Sequence, residues 1–532
     1  VFWRDPIFLV LLFLAAFISL HITVGEFHFT GDEMRHAMTG AFFRDALADH
    51  PIHAPFRYVR EYFAKYPALG LLHWPPLFHV VEGVFFLIFG LSVWASRLCI
   101  LCYALAGSYF WYRIAERFGP RHLALLSALL FPLTPYVLVY ERCTMLEVPA
   151  MALSMAAIHF WLKYLDKERP WDIWLVGLIS AGAFLTSQKA LLVPLILGAQ
   201  FLILRPWRIL RSLHFWMALA VSAAVVVPYY LFSFGMLSLS YERVLGAHVT
   251  RHWLPQFLFY PQRLFVQLPI VWVILAAAGF LWALLRRLRQ QWFLLLWVVL
   301  CYVCFSLIQE KDVRHTMIWI PPLVYFGLLL IDQMVPSRRW LWAGFAPIVV
   351  YTLVVAWQTD RPRLWGLEDV AAYVTSQPES DVIYYQGPLN GDFIFFVRKF
   401  DPQKRRMVAR EKQAVATKIL AGYGRREIMT SRDQVLHFFE TWGIRYAVVE
   451  NGEFFYGLEP VTQVLLSDSF ELVRIFPIQS NNPEVIDRRI LVYRFRGPLA
   501  RTTGSVTVPM MTIRDDITAP LQEVVGEPWP RN

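Results

Sequence analysis

The sequence predicts an α-helical polytopic membrane protein, with about eleven transmembrane helices and further interfacial helices, joined to a small C-terminal α/β soluble domain. Three observations carry this. The 532 residues are 57% hydrophobic and only 17% charged, where a soluble domain has about 25% charged residues. Apolar stretches recur from Pro6 to Trp357, each near the ~20 residues that a helix needs to cross hydrocarbon. From Gln358 onward the composition turns to that of a soluble domain. An ordinary soluble enzyme and a single-span receptor are both excluded.

The first span, Pro6 to Gly25, lacks the small-residue cleavage site of a signal peptide and is expected to be retained. Val1 at the first position implies further upstream residues. Other crossings are expected at 95–112, 122–140, 148–165, 171–186, 190–204, 213–232, 263–284, 291–308, 316–333 and 340–357. The segment 75–90, PPLFHVVEGVFFLIFG, has sixteen residues and contains His79 and Glu82; it is short for a crossing. If it stays at the outer interface, Arg113/Arg117/Arg121, Lys163/Lys167/Arg169, Arg205/Arg208/Arg211, Arg286/Arg287/Arg289 and Arg338/Arg339 share one side. That is what the positive-inside rule asks, so the N-terminus is placed in the cytoplasm. Loops 26–94, 141–147, 187–189, 233–262 and 309–315 then face outward with everything after 357.

Residues 358–532 carry 22 Lys and Arg against 22 Asp and Glu, so the whole net charge of +10 falls on residues 1–357. Long apolar helices leave no continuous basic face for a duplex, and nucleic-acid binding is set aside. The domain division is 1–357 in the membrane with the outer loop 26–94, an extracytoplasmic α/β domain over 358–500, and a loose tail over 501–532. In the α/β domain DVIYYQ (381–386), RYAVVE (445–450) and ILVYRF (490–495) read as strands, and SRDQVLHFFETW (431–442) as an amphipathic helix with a Ser cap. The pairs Cys99/Cys102 and Cys301/Cys304 have C-x-x-C spacing but lie inside apolar spans, where they read as packing residues rather than as zinc ligands.

Chemistry-bearing residues gather in the outward segments. FTGDEMRHA (29–37) sets Asp32 and Glu33 beside the first span. Two adjacent acids at a membrane surface are costly unless solvated, paired or used, and a solvated loop start explains them without function. YERCTMLEVPAMAL (140–153) puts Glu147 at the outer end of a span with Pro149 in its first turn; an acid complementing a helix dipole is the plain alternative. Outward cations, disfavoured by the positive-inside rule, are Arg35, Arg97, Arg142, Lys189, Arg251, Lys311 and Arg314. Carboxylates and cations together at a lipid interface suit a phosphorylated lipid, because Arg and Lys stabilise phosphate oxygens and a carboxylate takes a hydroxyl proton.

These stretches resemble the polyprenyl-phosphate-sugar glycosyltransferases of the GT-C fold, which include protein O-mannosyltransferases and lipid A aminoarabinose transferases. The matching runs come in order: GDEMRHA (31–37), HWPPLFHVVEGVFFLIFGLSVWASRL (73–98), MLEVPAMAL (145–153), LTSQKALLVP (185–194) and EKDVRHTMIWIPP (310–322). They cover about residues 1–335. The departures are Trp74 where the family has Lys, Glu147 for the commoner Asp, and His315 for Tyr. The resemblance implies that 1–357 is the glycosyltransferase domain and 26–94 its catalytic loop. It makes Asp32 the leading catalytic carboxylate with Glu33 beside it, and Glu147 a second acid that orients the acceptor or binds a metal. It makes Lys189, Lys311 and Arg314 the candidates for the lipid phosphate, with Arg142, Arg97 and His73 as further substrate-binding candidates.

The expected reaction is inverting transfer of one hexosyl or pentosyl unit from a polyprenyl-phosphate-sugar donor to a hydroxyl of a glycan, lipid or protein acceptor. The expected place is the outer face of a bacterial-type cytoplasmic membrane, and membrane lipid is a partner. No nucleotide is needed, and a divalent metal ion, held by Asp32 and Glu147, stays open. A lipid or glycan transporter or flippase would use intramembrane charges too, but would place them near mid-span and show repeated halves. A non-catalytic scaffold of the same fold is the third reading.

Overall fold

The computed structural model describes residues 5–27, 31–236, 253–308, 310–335, 337, 340–411, 416–418, 425–451, 459–483, 485, 488–500, 504–508 and 516–525. Arg251, Arg338, Arg339 and most of the tail 501–532 lie outside the described residues. Along the chain the first helices are α1 (Ile7–Ser19), α2 (Glu33–Asp49), α3 (Pro55–Lys65), α4 (Leu77–Phe89), α5 (Val93–Ala115), α6 (Arg121–Leu130), α7 (Pro135–Glu141) and α8 (Glu147–Lys167). There follow α9 (Pro170–Phe184), α10 (Leu192–Leu204), α11 (Leu213–Met236), α12 (Trp253–Gln267), α13 (Ile270–Leu285), α14 (Trp292–Leu307), α15 (Ile320–Met334) and α16 (Leu341–Gln358). The chain packs as two units, one of residues 1–23, 74–78 and 97–361, the other of 24–73, 79–96 and 362–532.

The first unit is all helix. Among the described residues six helical stretches are long and apolar enough to cross a membrane: 93–115, 147–167, 213–236, 289–307, 313–334 and 341–358. A seventh is the pair α6 and α7, bent by 65°; Pro132 in the break and Pro135 at the start of α7 remove backbone donors and turn the chain there. Shorter apolar helices are α1, α4, α9, α13 and the stretch 188–204. The stretches expected to cross each coincide with one of these helices, and α4 falls on the segment 75–90. One boundary differs. The stretch 263–284 is broken at Leu268–Pro269, with α12 ending at Gln267 and Pro269 capping α13, and α12 lies where a loop was expected. Its Pro261 and dense aromatics hide the helical period.

Helices of this unit approach closely through small residues, as membrane helices do. Gly279 of α13 lies against the backbone of Phe326 on α15, where a Cβ would collide. Gly177 of α9 meets Ala218 and Ser222 of α11 in the same way.

The second unit is built on a five-stranded sheet in the order β3-β2-β6-β9-β7. Its strands are β2 (Val382–Gln386), β3 (Met407–Arg410), β6 (Ile444–Glu450), β7 (Phe470–Pro477) and β9 (Arg489–Phe495). The remaining strands, all short, are β1 (Leu364–Trp365), β4 (Ala416–Lys418), β5 (Arg425–Glu427), β8 (Gln479–Ser480), β10 (Ser505–Val508) and β11 (Ile517–Pro520). β2 runs parallel to β3 and β6, while β9 is antiparallel to β6 and β7. Every residue of β2 is buried, as a parallel strand covered on both faces must be. Helices α17 (Leu367–Ser376), α18 (Asn390–Lys399), α19 (Arg432–Thr441) and α20 (Glu459–Leu465) complete the domain. The three strands and the Ser-capped helix read from the sequence are present, and Ser431 and Gln434 form a reciprocal capping box on α19.

Two features of this unit depart from the compositional reading. The packing boundary takes 24–73 and 79–96 in with the C-terminal residues instead of with the membrane helices. Part of the stretch expected to be loose is ordered as the antiparallel pair β10 and β11, because Val506, Val508, Ala519 and Val524 join the same apolar core.

Candidate functional site

In the helical unit, Glu147 is the first residue of α8, where an acid complements the helix dipole. Its carboxylate is buried, yet Lys189 reaches it: Nζ lies 2.5 Å from Oε1. Lys189 stands on the 3-10 turn Gln188–Leu191 that follows α9, a turn whose Ser187 hydroxyl accepts from the Lys189 N–H. Arg314 approaches the same oxygen at 3.7 Å and pairs with Asp312 at 2.8 Å. Asp312 in turn caps the 3-10 turn Val313–Trp319 by accepting from the Arg314 N–H. One helix start and two capped 3-10 turns therefore bring Glu147, Lys189 and Arg314 together. Glu147 Oε2 is buried and makes no hydrogen bond among the described residues.

The other expected cations of this unit serve backbone carbonyls. Lys311 donates to the carbonyls of Phe305, Ser306 and Ile308, closing the C-terminus of α14 as a basic residue can. Desolvation pushes its pKa down to about 8. Arg97 donates to the Ile22 carbonyl at 3.2 Å and is fully buried. Arg142 donates to the carbonyls of Thr359 (3.2 Å) and Phe17 (3.4 Å) and lies over the Phe17 ring. Trp74, at the position of the family's Lys, has its carbonyl held by the Tyr229 hydroxyl.

In the other unit, Asp32 is the N-cap of α2 and its carbonyl accepts from the His36 N–H at 3.0 Å. Glu33 follows as the first helical residue and is buried. His73 is exposed. Sequence reasoning did not find two neighbouring features. His36 Nδ1 and His79 Nε2 lie 3.0 Å apart with their rings stacked, and Glu82 is buried, accepting from Ser96 at 2.5 Å. Gly40 is needed there, because a Cβ would collide with the Glu82 carboxylate. His36 and His79 stand in motif runs, but nothing in their spacing announces that they meet.

No group of three or more His, Cys, Asp or Glu among the described residues could hold a metal ion. Glu147, already faced by an ammonium and a guanidinium, is a poor ligand for a divalent cation and a good partner for groups that bind anions. A separate apolar cavity of about 410 Å³ lies among α8, α9, α10 and α11, lined by residues such as Trp161, Phe184, Leu197, Phe201 and Val226. None of the candidate residues lines it.

Residues 73–232 match the family model described as dolichyl-phosphate-mannose-protein mannosyltransferase. No curated protein matches the chain. Among solved structures, ArnT from Cupriavidus metallidurans bound to undecaprenyl phosphate is similar with a TM-score of 0.61 at 15% identity, over 94% of this chain and 99% of that one. The Archaeoglobus fulgidus oligosaccharyltransferase in complex with Zn and sulfate is similar with a TM-score of 0.52 at 12% identity, over 83% of this chain and 68% of that one. The chain thus has the multi-pass GT-C membrane fold that its motifs resemble.

Proposed function

We propose that the protein is a glycosyltransferase that moves one sugar from a polyprenyl-phosphate donor to an acceptor hydroxyl at the extracytoplasmic face of a bacterial-type cytoplasmic membrane. The observation that carries this is the convergence of Lys189 and Arg314 on Glu147 at the ends of apolar helices, in a chain with the fold of a protein solved with undecaprenyl phosphate. A phosphate on a long apolar tail would meet these cations without leaving the bilayer. Lys has three N–H donors and Arg five, so both can face Glu147 and still offer donors to a phosphate.

The acceptor oxygen attacks the anomeric carbon from the face opposite the phosphate, the bond from that carbon to the phosphate oxygen breaks, and the configuration inverts. Polyprenyl phosphate leaves with its new charge stabilised by Lys189 and Arg314. Asp32, the half-buried N-cap of α2, takes the hydroxyl proton, with Glu33 beside it. His73, which is exposed, binds a more remote part of the substrates in this reading, while Lys311, Arg142 and Arg97 hold the backbone carbonyls they donate to.

The test is sugar transfer in vitro from a synthetic polyprenyl-phosphate sugar to a panel of glycan, lipid and peptide hydroxyls. Asp32→Asn keeps the shape and removes the base, so turnover should fall by about 10²–10⁴-fold. Near-wild-type turnover in that variant would remove Asp32 as the base. No transfer by the wild type to any acceptor, with labelled lipid moving across vesicles instead, would favour a transporter.

A further inference from the structure

We infer that the C-terminal domain positions the proposed catalytic acids: Arg398 and Gly391 of α18, together with the N-terminus of α17, grip helix α2 and the residues Glu26 and Phe27 ahead of it, and so fix where Asp32 and Glu33 stand. The inference rests on the role given to those two acids above. All the residues involved belong to the same packing unit.

The far end of α2 is held by charge. Asp45 receives Arg398 in a two-pronged pair, Nε to Oδ2 and Nη2 to Oδ1, both at 2.7 Å, and both side chains are 1% exposed. The third guanidinium nitrogen donates to the Asp401 carbonyl at 2.7 Å, and the Tyr62 hydroxyl donates to Asp45 Oδ2 at 2.7 Å. One turn on, Asp49 accepts from Lys404 at 2.6 Å and from the Tyr58 hydroxyl at 2.8 Å.

The near side is held by backbone and shape. Glu26 accepts from the N–H groups of Gly366 (2.9 Å), Leu367 (3.1 Å) and Glu368 (3.1 Å), closing the N-terminus of α17. Its own N–H donates to the Leu364 carbonyl at 2.7 Å. Phe27 meets Phe395 of α18 edge-on at 5.0 Å. Met34, the residue after Glu33, lies against Gly391 with no room for a Cβ there. Asp32 and Glu33 thus sit between a hydrogen-bonded anchor at Glu26 and a steric one at Met34.

Apolar packing alone would hold α2 but let it slide or turn. A buried bidentate ion pair has one geometry, so its use here favours orientation over bulk stability. A helix of 17 residues is about 25 Å long, and a small rotation at Asp45 is carried to the acids at its start. Catalytic groups tolerate little of this, since misplacement by about 1 Å can cost 10²-fold in rate.

The experiment uses the full chain in nanodiscs with Gly391→Ala, which pushes on Met34, and Arg398→Lys, which keeps the charge but cannot make the two-pronged pair. Transfer kinetics with the synthetic donor and amide exchange across residues 31–49 are read on the same samples. The expected result is a kcat lower by about 10–100-fold, a donor KM within about twofold of wild type, and faster exchange confined to 31–49. An active wild type whose variants keep kcat, or lose it only in proportion to the folded fraction, overturns the inference. A wild type without transfer overturns the functional reading instead. In that case the grip is judged by exchange alone, and unchanged protection at 31–49 in both variants refutes it.

Discussion

Lys189 and Lys311 are both lysines in or beside turns of the same unit, and their surroundings separate them. Lys189 points at a carboxylate, whereas Lys311 is spent on the carbonyls that end α14. Lys189→Ala should therefore weaken binding of a synthetic polyprenyl phosphate by about 1–3 kcal/mol, read by titration into protein in nanodiscs, while Lys311→Ala should cost local helix stability more than affinity. Glu147→Gln should act in the opposite sense on affinity. Removing the counter-charge leaves Lys189 and Arg314 with more field to offer, so the free phosphate should bind more tightly while turnover falls. Looser phosphate binding in Glu147→Gln would show that Glu147 orders the cations instead of competing for them. At this scale the motif runs pointed to Glu147, Lys189 and Arg314, which the structure brings together. Direction was not legible, because a motif names a side chain and only packing decides whether it meets a partner, a helix end or a ring.

The elements that could be read were those with a strong local period or cap. Ser431 with Gln434 three residues on opens α19 as a capping box should, and Ser431→Ala should cost about 1 kcal/mol of domain stability in urea unfolding. Strands β3 and β7 were not legible: β3 has four residues, and β7 alternates imperfectly around a register shift between Leu472 and Arg474. α2 was hidden by its buried polar residues, Glu33, His36 and Asp45 among them, which spoil an apolar stripe. These are residues whose partners come from distant parts of the chain. The anchor before α2 should leave a mark on pH dependence. Burial raises the Glu26 carboxyl to about 7 against the pull of three backbone N–H groups. With its folded pKa above the unfolded value of about 4.5, the folded state binds the proton more tightly, so this contribution to stability is full below pH 4.5 and is lost as pH rises through 7. Tm should fall between pH 5 and pH 7.5 and fall less in Glu26→Gln. An equal slope in the two proteins would assign the effect to the other buried carboxyls, such as Glu450, which burial also raises to about 7.

For the whole molecule, the composition break at Gln358 and the packing boundary do not coincide, and the reason is physical. Composition follows solvent, whereas packing follows buried partners, and residues 24–73 find theirs beyond residue 362 in pairs such as Asp45 with Arg398. This gives a sharper topological expectation than charge alone. Segments that share one packed body share one side of the membrane, so residues 26–73 and 362–525 must face the same way. The basic turns between helices set which way that is: Arg205, Arg208 and Arg211 should face the cytoplasm, and the packed body should face out. Single cysteines at Ile52 and Leu466, both strongly exposed in that body, and at Arg208, on a background without the native cysteines, test both steps. A membrane-impermeant maleimide added to intact spheroplasts should label positions 52 and 466 and spare 208 until the membrane is opened. Labelling of 52 without 466 would break the packed body itself. Labelling of 208 with sparing of the other two would leave the body intact but turn it to the cytoplasm, and an extracytoplasmic acceptor would then be out of reach of Asp32.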